Sequence, residues 1–364
     1  MYSNILFSAT AIALLAQQAA TAPASPPTGS QVLANTSYGP IPDESSYYST
    51  YPEKAPPFPA NITAPVLNTT YGPPGPDDLM WQNLLSAEWI IYSFYQTAVE
   101  MFNTSSFTSL SLPNTTYMRI VSIRDNEAGH LRIFQDQISS NSIKPGACQY
   151  EFPFTTTSDF LALQNLIEIA SMAFLTGLVQ QGKLNTTKGA LTAIGETETR
   201  HLVWGLIDVW NVDPFAGPAD TSFPYANQIL DTTNTFVVDG SCPSENPTYP
   251  SPRQNLPPIS TATNTTSVAP GSTVEFVFSD AENQPSFSAE KEYYVVWFHG
   301  VENVTVAFDT GSNETVIPGR FEERGLIVGV VADEVGAPTL ESVVAGPVYL
   351  LEQPSGLGTM LSSL

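Results

Sequence analysis

Four stretches of helical period each carry a glutamate in the middle of an apolar stripe: Glu88, Glu127, Glu168 and Glu198. Two of these glutamates are followed three residues later by a histidine, in Glu127-Ala-Gly-His130 and Glu198-Thr-Arg-His201. The spacing predicts helices over about 77–103, 115–141, 158–181 and 186–211. The stripe of the first is Leu84, Glu88, Tyr92, Tyr95, Val99 and Phe102, and that of the second is Ile120, Ile123, Glu127, His130, Phe134 and Ile138. The third shows Leu161, Asn165, Glu168, Met172, Leu175 and Val179, the fourth Leu191, Ile194, Glu198, His201, Gly205 and Val209. Steps of three and four mark the core side of a bundle helix. A carboxylate buried there costs several kcal/mol unless something neutralises it. Only Arg124, Arg132 and Arg200 stand near these glutamates in sequence, so four helices converging on one core call for a cationic partner.

The order Glu, Glu-x-x-His, Glu, Glu-x-x-His over four consecutive helices is the ligand set of carboxylate-bridged di-metal bundles. Residues three apart on a helix sit about 60° apart in azimuth and one turn apart in height, so each Glu and His pair converges on one point. Glu88 and His130 are assigned to one ion and Glu168 and His201 to the other, with Glu127 and Glu198 bridging. Mixed carboxylate and imidazole donors suit Fe or Mn, and the spacing does not choose between them. About four protein ligands per ion leave positions for O2, peroxide or water. A single Glu-x-x-His is common on solvated helix faces; two within apolar stripes, alternating with two lone glutamates, are not. Tyr92 and Tyr95, one and two turns beyond Glu88, are candidates to bond a ligand, against ordinary core packing. Gln164 and Asn165, one turn before Glu168, stand in the same position. His299, in Trp-Phe-His-Gly, has no cysteine, methionine or second histidine near it and reads as a strand histidine rather than a copper ligand.

The fold class expected is α+β and multidomain, a four-helix bundle at 77–212 followed by a small β-sandwich at 261–353. The connection at about 142–157 is long enough to run the length of the bundle, as a single long crossover requires. Pro-Gly-Pro-Asp-Asp at 74–78 supplies the start of the first helix. Residues 23–76, rich in Pro, Ser, Thr, Tyr and Gly, read as an extended arm, and 213–260 as a Pro-rich linker. From 261 the period changes to two. Strands are expected at 273–278, 293–298, 303–308, 326–331 and 348–351, with a turn at 309–313 and a tail at 354–364.

Leu6 to Leu15 is an apolar run followed by small residues, which reads as a signal peptide over 1–22. No other segment is expected to cross a membrane. Nine Asn-x-Ser/Thr sequons agree with export, at Asn35, Asn61, Asn68, Asn103, Asn114, Asn185, Asn264, Asn303 and Asn313. The two cysteines, Cys148 and Cys242, fit one disulfide in an oxidising compartment, the other reading being two buried thiols. With 12 Lys and Arg against 35 Asp and Glu, the formal charge of −23 argues against nucleic acid or anionic membranes as partners. The chain is expected to be secreted, to the extracellular space or the cell wall.

The segment 77–212 resembles the ferritin-like superfamily. Its doubled Glu-x-x-His is closer to bacterioferritin, rubrerythrin and manganese catalase than to animal ferritins. With the signal peptide, Pro-rich arm and β tail, the chain as a whole is similar to the secreted fungal ferritin-like proteins of stress response and sexual development, which have relatives among plant desiccation-related proteins. The resemblance implies a fold and a metal site more than a reaction. Two readings follow. One is a secreted glycoprotein with a di-iron or di-manganese centre acting on O2 or H2O2 as an oxidase, peroxidase or catalase-like oxidoreductase. The other is a non-enzymatic stress- or development-induced wall protein, in contact with cell-wall components, whose metal site is structural or vestigial. Iron storage in a closed shell fits less well, because the arm, the β part and glycans at Asn103, Asn114 and Asn185 would crowd assembly.

Overall fold

A computed structural model describes residues 63–215, 217–262, 268–322 and 325–352. The signal segment, most of the arm, the sequons at Asn35, Asn61 and Asn264 and the tail lie outside the described residues. Helix α1 spans Asp78–Met101, the short α2 Thr104–Thr108, α3 Thr116–Gln137, α4 Thr157–Val179 and α5 Asn185–Trp204. One π turn, Gly205–Val209, continues α5. Helix α1 packs with α3 and α4 with α5, so the long connection separates two helical hairpins.

Local chemistry explains the ends. Helix α1 stops before Asn103 because that side chain accepts from the backbone N–H groups of Ser105 (2.9 Å) and Ser106 (3.3 Å) and caps α2 instead. Asp77 and Asp78 start α1 as expected, and their side chains also serve other helices. Asp77 accepts from the N–H groups of Lys183 (2.8 Å) and Leu184 (3.0 Å) at the start of α5, where Leu184 has no side chain able to cap. Asp78 accepts from the Ser139 N–H at 3.0 Å and the Ser142 hydroxyl at 2.7 Å just beyond α3. The crossover is held from both sides. Val66 pairs with Lys144, Tyr150 pairs with Val237, and Cys148 is bonded to Cys242.

Residues 213–260 are more than a linker. They contain α6, Ala226–Thr232, a 3-10 turn at Thr233–Phe236 and the first strand. Ala226, Ile229 and Leu230 are buried, and α6 packs on α4. The step of three and one among Pro-rich neighbours is too short to stand out as a helical period. Gly177 of α4 is what lets this segment dock: a Cβ there would collide with the Phe223 carbonyl, and the Phe223 N–H donates to the Ala173 carbonyl at 3.1 Å.

Among the described residues seven antiparallel strands follow: β1 Ile259–Thr261, β2 Thr273–Phe278, β3 Tyr294–His299, β4 Glu302–Ala307, β5 Glu314–Val316, β6 Gly325–Ala332 and β7 Val343–Glu352. They form two sheets, β1-β2-β5 and β4-β3-β6-β7. Val274 and Phe276 of the first and Trp297, Ile327 and Val348 of the second share one core. Strands β3 and β6 are buried on both faces, which is why their sequences are continuous apolar runs rather than alternating ones. Phe298, on the outer face of β3, meets Phe223 edge-on at 5.2 Å, joining the sandwich to the segment that rests on α4. The described residues belong to one compact unit.

Helix α4 is, by length and composition alone, apolar enough to cross a bilayer, although no segment beyond the N-terminal run is expected from sequence to be. It lies inside the bundle, with 67% of its most apolar stretch buried.

Candidate metal centre

The six side chains singled out by spacing meet at the centre of the bundle. Glu88 comes from α1, Glu127 and His130 from α3, Glu168 from α4, and Glu198 and His201 from α5. None is more than 5% exposed. His130 Nδ1 lies 2.8 Å from Glu127 Oε2, 3.3 Å from Glu198 Oε1 and 3.5 Å from Glu88 Oε1. His201 Nδ1 lies 3.1 Å from Glu127 Oε1, 3.3 Å from Glu198 Oε2 and 3.5 Å from Glu168 Oε2. Two groups result: Glu88, Glu127, His130 and Glu198, and Glu127, Glu168, Glu198 and His201. Glu127 and Glu198 are common to both.

The donor set fits metal ions. Within each group the nearest donor atoms all lie within 4.8 Å of one another. Two donors on opposite sides of one ion, each at about 2.1 Å, would stand about 4.2 Å apart. Glu88 Oε1, Glu127 Oε1, Glu168 Oε2, Glu198 Oε2 and His201 Nδ1 are buried and make no hydrogen bond. So many unsatisfied donors and acceptors in one core are costly without a ligand. Arg124 and Arg200 do not supply it. Arg124 is buried but is taken up by Asp125 (2.7 Å) and Gln96 (2.6 Å), and Arg200 lies on an exposed face beside Thr197.

Charge is balanced by protons among the six groups. Burial and the neighbouring Glu127 carboxylate hold Glu88 well above the usual carboxylate range. Burial does the same to Glu168, with Glu198 adding to it. Burial also pushes Glu127 and Glu198 upward, but His130 and His201 outweigh it and both carboxyls lie below their usual value. Burial opposes charge on the imidazoles, yet the surrounding carboxylates raise both well above the usual histidine range. These directions favour protons on Glu88, Glu168 and both imidazoles over Glu127 and Glu198, and a set protonated in that order carries no net charge.

Around the cluster, the buried Tyr95 hydroxyl donates to Glu168 Oε1. Burial first, then the Glu168 carboxylate, keeps that phenol protonated far into alkali. Tyr92 belongs to neither group, and its hydroxyl reaches Gln96 at 3.4 Å. Asn165 donates to the Leu161 carbonyl of its own helix at 3.1 Å, not to the cluster. Gly205 opens the π turn four residues after His201. A Cβ there would lie 2.8 Å from both Asn165 Oδ1 and Gln164 Oε1, so only glycine leaves those amides their room. One neighbour went unrecognised in the sequence. Asn126 Oδ1 lies 3.0 Å from His201 Nε2, which fixes the ring so that Nδ1 faces the carboxylates. Its position beside Glu127 gives no periodic signal, because it lies on the exposed side of α3.

Residues 77–205 match the family model described as a ferritin-like domain, a segment that contains all six side chains and a little over a third of the 364 residues. That segment is a ferritin-like helical domain, followed here by antiparallel sheets. Comparison with curated proteins gives no match.

Proposed function

We propose that the helical domain holds two divalent ions, Fe or Mn, one in each of the two groups, with Glu127 and Glu198 shared between them. The observation that carries this is the sharing itself: two four-residue groups, each with one histidine, overlap in two carboxylates. Two divalent ions would replace four protons without changing the cluster's charge. Ions held by about four protein ligands supply redox chemistry toward O2 or H2O2. The chain's own part is to orient His201 through Asn126 and Glu168 through Tyr95, and to hold the carboxylates away from bulk water.

The chain is read as a secreted glycoprotein of stress response. The Cys148–Cys242 bond suits an oxidising compartment. Asn68, Asn103, Asn114, Asn185, Asn303 and Asn313 are all exposed or half-buried, as acceptors of glycans must be. A structural role for the ions is the second reading, favoured by how completely the six side chains are enclosed.

Metal analysis of protein from its native source, compared with Glu127→Gln and Glu88→Gln, tests the metal centre. Two ions per chain are expected in the parent, fewer than one in Glu127→Gln, and close to one in Glu88→Gln. Equal metal content in all three proteins rules it out. Oxidase, ferroxidase and catalase assays on the loaded parent separate the catalytic from the structural reading.

A further inference from the structure

Helix α4 is apolar on two faces. One presents Glu168 to the cluster, and the other carries Leu163, Leu166, Ile167, Ala170 and Phe174. A helix apolar all round must be covered on every side. Over this second face the cover is not another long bundle helix but the short α6 and the β-sandwich, and between them lies a cavity of about 830 Å3. Its size falls within the range of roughly 300–1,000 Å3 typical of small-molecule sites. Ile90, Ile167, Ala170 and Phe174 form the bundle side of the wall, with Ile229 and Leu256 among the residues opposite. Leu166, Ile167 and Ala170 remain only half-buried, so the protein leaves this surface incompletely covered by its own described residues.

The polar residues lining the cavity are unbalanced in charge. Glu151, Asp231 and Asp280 supply three carboxylates. Among the described residues lining it the one cation is Arg253, whose Nε lies 3.0 Å from Asp231 Oδ1. Glu151 and Asp280 are exposed and lack a basic partner in the cavity wall. Phe152 and Phe236, with ring centroids 5.4 Å apart, add aromatic faces that also favour a cation. An anionic head group would meet repulsion here, and a neutral one would gain no charge attraction from the carboxylates.

We infer that the cavity between α4, α6 and the sandwich binds a cationic amphiphile, an amine with one long apolar body, whose chain lies on Leu166, Ile167 and Ala170 and whose ammonium group lies at the acidic opening. This site is separate from the metal centre and does not depend on it.

Calorimetric titration of the full chain with dodecylammonium, dodecanol and dodecanoate, each below its aggregation concentration, tests the inference. One dodecylammonium per chain is expected, bound at least tenfold more tightly than the alcohol and more tightly still than the carboxylate. Ala170→Trp, which sets an indole on the apolar wall where the chain would lie, should abolish binding while the metal content stays at the parent level. Because that variant can disturb packing, Glu151→Gln with Asp280→Asn provides the second arm: the amine's tenfold advantage over the alcohol should disappear, with chain binding retained. Equal affinity for all three probes, or amine binding that survives Ala170→Trp in folded protein, overturns the inference. So does absence of binding to the full chain, the result expected if the chain's own N-terminal arm occupies the space.

Discussion

His201 Nε2 donates to Asn126 Oδ1 at 3.0 Å, so the residue just before one proposed bridging carboxylate sets the ring of a histidine on a different helix. Outer hydrogen bonds of this kind fix the tautomer and orientation of a ligating imidazole. Asn126→Ala should therefore weaken metal binding by about 10–100-fold, the range usual for loss of such partners. Asn126→Asp should restore most of it. Competitive metal titration of the three proteins checks this, and unchanged affinity in Asn126→Ala would show that the bond does not position the ring.

Tyr95→Phe removes the hydroxyl that donates to Glu168 Oε1 while keeping the ring in the core. A hydrogen bond to the ionised form of a carboxylate favours ionisation. Glu168 is thus expected to hold its proton to higher pH in the variant. The pH at which half the sites are loaded should move upward, with little change in the amount bound at alkaline pH.

Stability should depend on pH differently with and without metal. Glu88 and Glu168 are raised above 4.5, and His130 and His201 above 6.5, so the folded metal-free chain holds protons that the unfolded chain has released. Their contribution is complete below those values and is lost as pH rises through the folded values. Glu127 and Glu198 are lowered, so their contribution is present above 4.5 and is lost as pH falls. The cluster's share of metal-free stability therefore peaks near the ordinary carboxylate value and declines toward neutrality. Binding of metal removes the four protons and with them that decline. The gap in melting temperature between loaded and metal-free protein should widen between about pH 5 and pH 7.5. A gap that narrows over this range would contradict the proton balance.

Cys148→Ser with Cys242→Ser opens a loop of 94 residues that joins the crossover to the segment after α6. A closed loop of that length restricts the unfolded chain by an amount worth about 4–5 kcal/mol in the chain-entropy view. Chemical denaturation of the double variant should show a loss of roughly 2–5 kcal/mol. Metal content of the folded fraction should stay the same, since neither sulfur touches the cluster.

The bundle was legible because its information is periodic. Glu88, Glu127, Glu168 and Glu198 each fall in phase with apolar neighbours three and four residues away, and phase alone brings them to one axis. The strands β2, β3, β4 and β6 could be read from period two or from continuous apolar runs. Other features carry no such repeat. Helix α6 has two apolar steps among prolines, and β1 and β5 are three residues each. Asp77 and Asp78 open α1 as their position predicts, but their side chains also reach Leu184 and Ser139, and nothing local records such long-range pairing. The same holds for Asn126 and for the space beneath the sandwich. Both depend on how elements are stacked rather than on how each is built.

The long crossover divides the donor set into equal halves, three side chains on each side. The hairpin of α1 and α3 owns Glu88, Glu127 and His130, and that of α4 and α5 owns Glu168, Glu198 and His201, yet each proposed ion draws on both. Neither half of the domain can complete a coordination sphere by itself. Ion capture is thereby tied to the docking of one hairpin on the other, so a fully loaded chain is one in which both are in place.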